Sequence, residues 1–285
     1  MAEEKVVVGD IDGTFIEKGD RDSSPQELKE GIREMRKRGN LLSLASGRDY
    51  VDQHGIWRRL TGEEKLLPME AILYEDACIK LGDGRTYTFG GLNKQQLELV
   101  AQIEHDRPEL FAGLVPLPGS NFTVRTARVT REFADGIGTN VAVLVDRHTK
   151  IVAYVDELRA DQRYSALLSN IHVGKSADGI DFLDKGAHKG VAFGKYIEVL
   201  NEIGITGDKI IVLGDAANDE GMLKKVLEAG GIAGYVGMVG QTDSNKGDLE
   251  RTLREFAQNA PGRLIIPKVR GPIGAAYIIH EYVLD

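Results

Sequence analysis

Residues 5–14 read KVVVGDIDGT, and this stretch decides the fold. Val6-Val7-Val8 is a short apolar run with no polar break, the pattern of a strand buried on both faces. It runs into Asp10, and Asp12 follows two residues on. Two carboxylates at the end of a buried strand repel each other and are costly to desolvate. Either something positive faces them, or the stretch lies bland at the surface. Gly13-Thr14 beyond them implies a tight turn that offers exposed backbone N–H groups.

The neighbouring sequence supports the buried strand. Ser24-Pro25-Gln26-Glu27 has the form of a capping box with Pro25 at the first helical position. The helix PQELKEGIREMRKR follows, with Lys37 and Arg38 in its last turn and Gly39 just beyond. LLSLAS and EAILY read as further buried strands. Such strands separated by helices predict a parallel sheet with crossover helices. From about Gly82 the texture changes. RTYTF, FTVRTARV, NVAVLVD and KIVAYVD read as strands, with helices around NKQQLELVAQIEH and LRADQRYSALLS, an α+β mixture. After Phe182 the alternation returns, through KGVAFGKYIEVLNEIG (helix), KIIVLGD (strand), DEGMLKKVLEAG (helix), IAGYVG (strand), GDLERTLREFAQ (helix), RLIIP (strand) and a last helix near IGAAYIIHEYV. The expected fold class is α/β, a Rossmann-like parallel-sheet core of residues 1–81 and 184–285 with an α+β domain inserted at 82–183.

Bulk composition narrows the function. An apolar fraction of 42% supports packed cores, and a net charge of −8 disfavours a nucleic-acid or anionic-membrane surface. It leaves room for a small anionic substrate, because one local cation or metal can dominate a site. The single cysteine, Cys78, forbids an internal disulfide and fits a reducing, cytoplasmic setting. MAEEK, acidic and reaching only a short Val run, is not expected to be a signal peptide, and no stretch approaches the roughly 18 apolar residues of a membrane span. Neither nucleic acid nor membrane is an expected partner, and the chain is expected to act as a monomer or homodimer.

Four places put polar chemistry at a strand end or at a helix start leading back into the core. Ligand sites of open α/β sheets form beyond the carboxyl ends of strands. Besides GDIDGT there is LASGR, where Ser46 supplies a hydroxyl, Gly47 permits close approach and Arg48 adds charge. In DKGAHKG, Lys189 opens a helix, against the preference of the helix dipole, which suggests an anionic partner. In VLGDAANDEG, Asp215 ends an apolar strand and Asn218, Asp219 and Glu220 follow, a plausible hard-cation site. Each has a plainer explanation: an Asx turn, a Ser46 cap, a solvated lysine, an Asp219 cap. All four together do not.

In order and spacing, Asp10-Ile11-Asp12-Gly13-Thr14, Ser46-Gly47-Arg48, Lys189-Gly190 and Gly214-Asp215 with Asn218-Asp219 resemble the haloacid dehalogenase-like phosphohydrolase superfamily. The place of the insert, between the serine and lysine motifs, looks like a C2-type cap. The phrasing resembles subclass IIB, which holds Cof-type, sucrose-phosphate and mannosyl-3-phosphoglycerate phosphatases. Gly271-Pro272-Ile273-Gly274 is similar to a loop of the last of these. Where many relatives carry Glu-Asn-Gly-Ala, this chain has Glu75-Asp76-Ala77-Cys78.

The resemblance implies an Mg²⁺-dependent phosphomonoesterase acting on a small phosphorylated molecule, a sugar phosphate or phosphoglycerate derivative. It implies that Asp10 is the nucleophile and forms an aspartyl-phosphate, and that Asp12 is general acid and then general base. Mg²⁺ would be held by Asp10, the Asp12 backbone carbonyl, Asp215 and Asp219, with Asp219 acting directly or through water. Gly13, Thr14, Ser46, Gly47, Lys189 and Asn218 would hold the phosphoryl group, Asn218 by steadying Lys189 or the phosphate. Arg48, and on the cap Arg125, Arg128, His172 and Lys175, are candidates for reading the leaving group as the cap closes. A phosphosugar mutase and a non-catalytic phosphate-binding regulator remain alternatives. No P-loop or dinucleotide fingerprint is present.

Overall fold

The structure, a computed structural model, describes residues 4–17, 23–75, 77–112, 114–116, 124–129, 141–175, 179–237 and 246–285. It divides into two compact units, Met1–Thr88 with His188–Asp285, and Phe89–Ala187. No helix among the described residues is long and apolar enough to cross a membrane.

The first unit is built on one sheet. Its strands are β1 (Val6–Gly9), β2 (Leu41–Ala45), β3 (Ala71–Tyr74), β4 (Cys78–Leu81), β5 (Thr86–Thr88), β10 (Ile210–Gly214), β11 (Ile232–Tyr235) and β12 (Arg263–Ile265). Their spatial order is β12-β11-β10-β1-β2-β3-β4-β5. β1 lies between β10 and β2 and is parallel to both, with Val7 opposite Ile211 on one side and Leu42 on the other. Val6, Val7 and Val8 are fully buried, as an unbroken apolar strand covered on both faces must be. The parallel register makes β1, β2 and β10 end together, so Asp10, Ser46 and Asp215 emerge at one edge.

Helices α1 (Gln26–Lys37) and α2 (Tyr50–Thr61) bury apolar residues on one face of this sheet. Leu28, Ile32 and Met35 of α1, at helical spacing, join Phe15, Trp57 and Ile278 in a common core, each large side chain contributing about 1.5–3 kcal/mol on burial. The expected capping box does not form. Pro25 is the capping residue, without a side-chain cap, and Ser24 Oγ donates to the Phe15 carbonyl at 2.8 Å. The hydroxyl fastens the incoming chain to the turn after β1 instead.

RTYTF is a strand, but it belongs to this sheet. β5 pairs antiparallel with β4, and β4 with β3, so the units divide at 88/89 and 187/188 rather than at 81/82 and 183/184. Helices α7 (Lys189–Glu202), α8 (Glu220–Glu228), α9 (Lys246–Ala257) and α10 (Gly271–Ile279) complete the unit.

The second unit carries an antiparallel sheet of β6 (Leu114–Pro116), β7 (Val124–Val129), β8 (Ile171–Lys175) and β9 (Gly179–Asp184), in the order β6-β7-β9-β8. Its helices are α3 (Lys94–Asp106), α4 (Pro108–Phe111), α5 (Val141–Ala160) and α6 (Gln162–Leu168). NVAVLVD and KIVAYVD, expected as two strands, lie almost wholly within the single helix α5. Ile151 and Val155 are fully buried and Val152 and Leu158 pack beside them, a spacing of three and four that only a helix satisfies. Lys150 pairs with Asp146 one turn back at 2.7 Å, which a strand would prevent.

Candidate active site

Lys189 is the positive group that the first stretch requires. It is the first residue of α7 and is almost fully buried. Its Nζ donates to Asp10 Oδ1 at 2.6 Å and to Asp219 Oδ1 at 2.8 Å. A cation at a helix N-terminus is disfavoured by the dipole, and two buried carboxylates outweigh that preference. Asp219 ends the 3₁₀ turn Ala217–Asp219. Its other oxygen accepts from the backbone N–H groups of Asp215 at 3.0 Å and Ala216 at 3.1 Å. It therefore ties the lysine to the end of β10 and does not cap α8.

Asp10, Asp215 and Asp219, all buried, present oxygens within 4.8 Å of one another. Burial is the main force raising the Asp10 pKa well above the usual carboxylate range. Asp219 and Asp215 add to it, and Lys189 opposes it. Three hard oxygen donors converging at a strand end suit Mg²⁺, and a divalent cation would offset the mutual repulsion. Thr14 Oγ1 donates a long hydrogen bond, 3.4 Å, to Asp215 Oδ1.

The Asp12 side chain lies apart from that cluster. Arg48 grips it with two hydrogen bonds, Nε to Oδ2 at 2.8 Å and Nη2 to Oδ1 at 2.6 Å. The same guanidinium also pairs with Asp52. The hydrogen bond to Asp12, more than any other contact, raises the already high Arg48 pKa further. Asp52, unforeseen from the sequence, lies four residues after Arg48, in the first turn of α2, while Arg48 precedes the helix and its Asp49 cap. Gln53 was equally unforeseen. Its buried amide donates to the carbonyls of Ser46, Arg48 and Leu73 and so fixes the end of β2. Ser46 is buried, and its Oγ accepts from the Arg48 N–H at 3.4 Å. It does not cap α2, whose cap is Asp49. Gly47 is exposed between them.

Two expectations about the phosphate cradle need correction. Gly13 N–H donates to the Ile16 carbonyl at 2.8 Å and Thr14 N–H to the Ile11 carbonyl at 3.3 Å. The turn itself consumes both donors. The N–H groups of Ile11 and Asp12 meet no acceptor among the described residues, so they are the open donors here. Gly13 has φ +88°, and a Cβ there would meet Asp215 Oδ2 at 2.5 Å, so it serves the turn rather than the ligand. Asn218 is exposed and has no hydrogen-bond partner among the described residues. The buried Asp219, not Asn218, steadies Lys189.

In the second unit His172 is exposed on β8. Arg125 and Arg128 sit on β7, opposite Phe182 and Gly179, and Lys175 on β8, opposite Ile180. The side chains of these three lie outside the described residues, as do Asp76 and the stretch 238–245.

With this geometry in place, the model of one family, haloacid dehalogenase-like hydrolase, matches residues 7–88 and 118–233. The chain belongs to the haloacid dehalogenase-like hydrolases. Solved structures with this hydrolase's fold include a haloacid dehalogenase-like hydrolase from Bacteroides thetaiotaomicron, 15% identical, TM-score 0.64, covering 98% of this chain and 99% of that one. The sucrose-phosphatase of Synechocystis is 14% identical, TM-score 0.53, covering 98% of each chain. A trehalose-6-phosphate phosphatase from Aspergillus fumigatus is 13% identical, TM-score 0.52, covering 99% of this chain and 93% of that one. No protein of curated function matches this hydrolase by sequence.

Proposed function

We propose that this hydrolase cleaves phosphomonoesters through an aspartyl-phosphate, on a small hydrophilic substrate such as a sugar phosphate or phosphoglycerate derivative. The observation that carries the reading is the buried Lys189 between Asp10 and Asp219, beside Asp215. An Asp10 oxygen attacks phosphorus, and the bond to the leaving oxygen breaks. Asp12 gives that oxygen a proton. It then takes one from the water that attacks the aspartyl-phosphate and frees inorganic phosphate. Lys189, Ser46 Oγ and the Ile11 and Asp12 N–H groups face the charge on the transferring phosphoryl.

Asp10, Asp215 and Asp219 would hold Mg²⁺, which when bound offsets carboxylate repulsion and neutralises phosphoryl charge. Asp12 reaches its role only when Arg48 releases it, because both oxygens now accept from the guanidinium. The unit 89–187 is assigned the choice of leaving group, with Arg125, Arg128, His172 and Lys175 as candidates. The sugar-phosphate reading rests on likeness to the sucrose- and trehalose-6-phosphate phosphatases, and the cytoplasmic one on the single buried thiol. The test is phosphate release from phosphorylated sugars, phosphoglycerate derivatives and p-nitrophenyl phosphate, with Mg²⁺ and with EDTA. Mg²⁺-dependent release that Asp10→Asn abolishes supports the reading. Release retained by that variant, or none from any substrate, rejects it.

A further inference from the structure

A cleft of about 610 Å³ lies in the first unit among Arg33, Arg36 and Lys37 of α1, Thr61 at the end of α2, and the following loop with Glu63 and Lys65. It is at the far end of β2 from Ser46. Glu70, which grips Arg36 through Nε at 2.7 Å and Nη2 at 3.0 Å, also accepts from Leu42 N–H near the start of that strand.

The cations here are placed unlike most others on the chain. Elsewhere on this acidic surface they are commonly matched, as Arg38 is by Glu34, Lys150 by Asp146 and Arg254 by Glu250. Among the described residues, Arg33, Lys37 and Lys65 have no hydrogen-bond or ion-pair partner. Arg36 and Lys37 lie in the last turn of α1, where the helix dipole favours a cation. Arg33 is a turn earlier and Lys65 is in a loop, so the dipole explains neither. Three unmatched cations against one unmatched carboxylate, Glu63, line one concavity on a chain of net charge −8, and this local excess of positive charge raises the potential and draws a multiply charged anion. The volume lies within the ~300–1,000 Å³ range of small-molecule sites.

We infer that this cleft binds an oligophosphate, the phosphate chain of a nucleotide or an inorganic polyphosphate, at a second site separate from the carboxylate cluster. A single phosphate would leave most of the cations unmatched. A chain of three phosphates meets Arg33, Lys37 and Lys65 together, with the Arg36 guanidinium held in place behind them.

The molecule supplies its own reporter. Trp57 is the chain's one tryptophan, it is fully buried, and the Arg36 guanidinium lies 4.9 Å from its ring centre. The experiment titrates inorganic tripolyphosphate, then ATP, into the whole protein in EDTA, following Trp57 emission and calorimetric heat. Expected is saturable binding that weakens as salt rises from about 50 to about 200 mM, since the attraction is between exposed charges. An Arg33→Glu, Lys65→Glu double variant alters only exposed side chains, and its melting temperature should stay within about 2 °C of the wild type. It should raise the dissociation constant at least tenfold. ATP binding as tightly as tripolyphosphate assigns recognition to the phosphates alone, and tighter ATP adds the nucleoside; both support the site. A double variant that binds tripolyphosphate as the wild type does, or a wild type that gives neither saturable emission change nor heat, overturns it.

Discussion

Arg48 holds Asp12 by two hydrogen bonds from one guanidinium, at 2.8 and 2.6 Å. Both oxygens of the proposed proton donor are thereby occupied as acceptors. The pair is partly exposed, 21% and 38% for the two side chains, so its opening costs little. In the proposed mechanism Arg48 thus aims Asp12 at rest and must let it go in turnover. Arg48→Ala keeps the carboxylate but leaves it unaimed, and should lower kcat about tenfold. Asp12→Ala should cost the ~10²–10⁴-fold of a lost general acid. Steady-state rates on p-nitrophenyl phosphate compare the two. Equal losses would make Arg48 indispensable rather than orienting.

Asp10 binds its proton more tightly in the folded chain than in the unfolded one, because it is buried beside Asp219 and Asp215. Its contribution to stability is therefore greatest at low pH and is lost as pH rises through the raised folded value. Without metal, and at pH above the raised folded value, the ionised carboxylate strains the fold, and a neutral side chain of the same shape removes the strain. Asp10→Asn should abolish turnover yet raise the melting temperature in EDTA by about 2–4 °C, roughly 1 kcal/mol. A lower melting temperature than wild type would contradict this electrostatic account.

Mg²⁺ held by Asp10 as proposed would need the ionised carboxylate, so protons would compete with it at the same raised site. Apparent Mg²⁺ affinity should tighten as pH rises through the Asp10 value. Mg²⁺ at about 100 times its dissociation constant should add about 2.7 kcal/mol of stability. Asp215→Asn should lose that gain. Melting curves with and without Mg²⁺ at several pH values read both effects, and a pH-independent affinity would remove Asp10 from the ligand set.

Gly13 has φ +88° and no room for a side chain against Asp215. Gly13→Ala imposes a left-handed conformation costing about 1–2 kcal/mol and pushes on the Asp215 carboxylate. Turnover should fall about 10²-fold, as expected when a catalytic group is displaced by about 1 Å, while the chain stays folded by circular dichroism. Near-normal turnover would show that the turn can shift without moving Asp215.

Glu70 is fully buried and accepts from the Leu42 and Leu67 N–H groups as well as from Arg36. Glu70→Ala strands a largely buried guanidinium and two backbone donors. The expected loss is about 3–5 kcal/mol, seen as a drop in melting temperature on the order of 10 °C. A second change, Arg36→Met, should recover part of it by removing the stranded charge.

The parallel core was legible because Val6–Val8 and Ile210–Leu213 are apolar without interruption and Leu41–Ala45 is broken only by Ser43, a pattern with few other uses. Lys189 was legible because it sits where the helix dipole resists a cation. The α5 error arose because Val, Ile and Thr are stiff residues that suit a strand locally, and burial at Ile151 and Val155 overrode that preference. The Gly13 and Thr14 N–H groups were misjudged for a different reason. A turn can spend its own donors internally, and sequence does not show which ones. Arg48 was noticed as a charge, but its grip on Asp12 depends on a register between two strands that only the fold fixes. Asn218 looked useful by position, while Asp219 next to it turned inward and took the lysine.

The pairing of Lys189 with Asp10 joins residues 179 positions apart. On the ribosome, at about 5–20 residues per second, Asp10 and β1 wait roughly 10–35 s for the lysine and for β10 to be made. β2 arrives early and covers one edge of β1, but the other edge stays open throughout that interval. A nascent chain stalled near residue 200 would therefore carry a bare, all-apolar strand edge, the surface a trigger chaperone or a second nascent chain would find first. The same long-range closure that brings Lys189 to Asp10 leaves β1 with an open edge while the protein is being born.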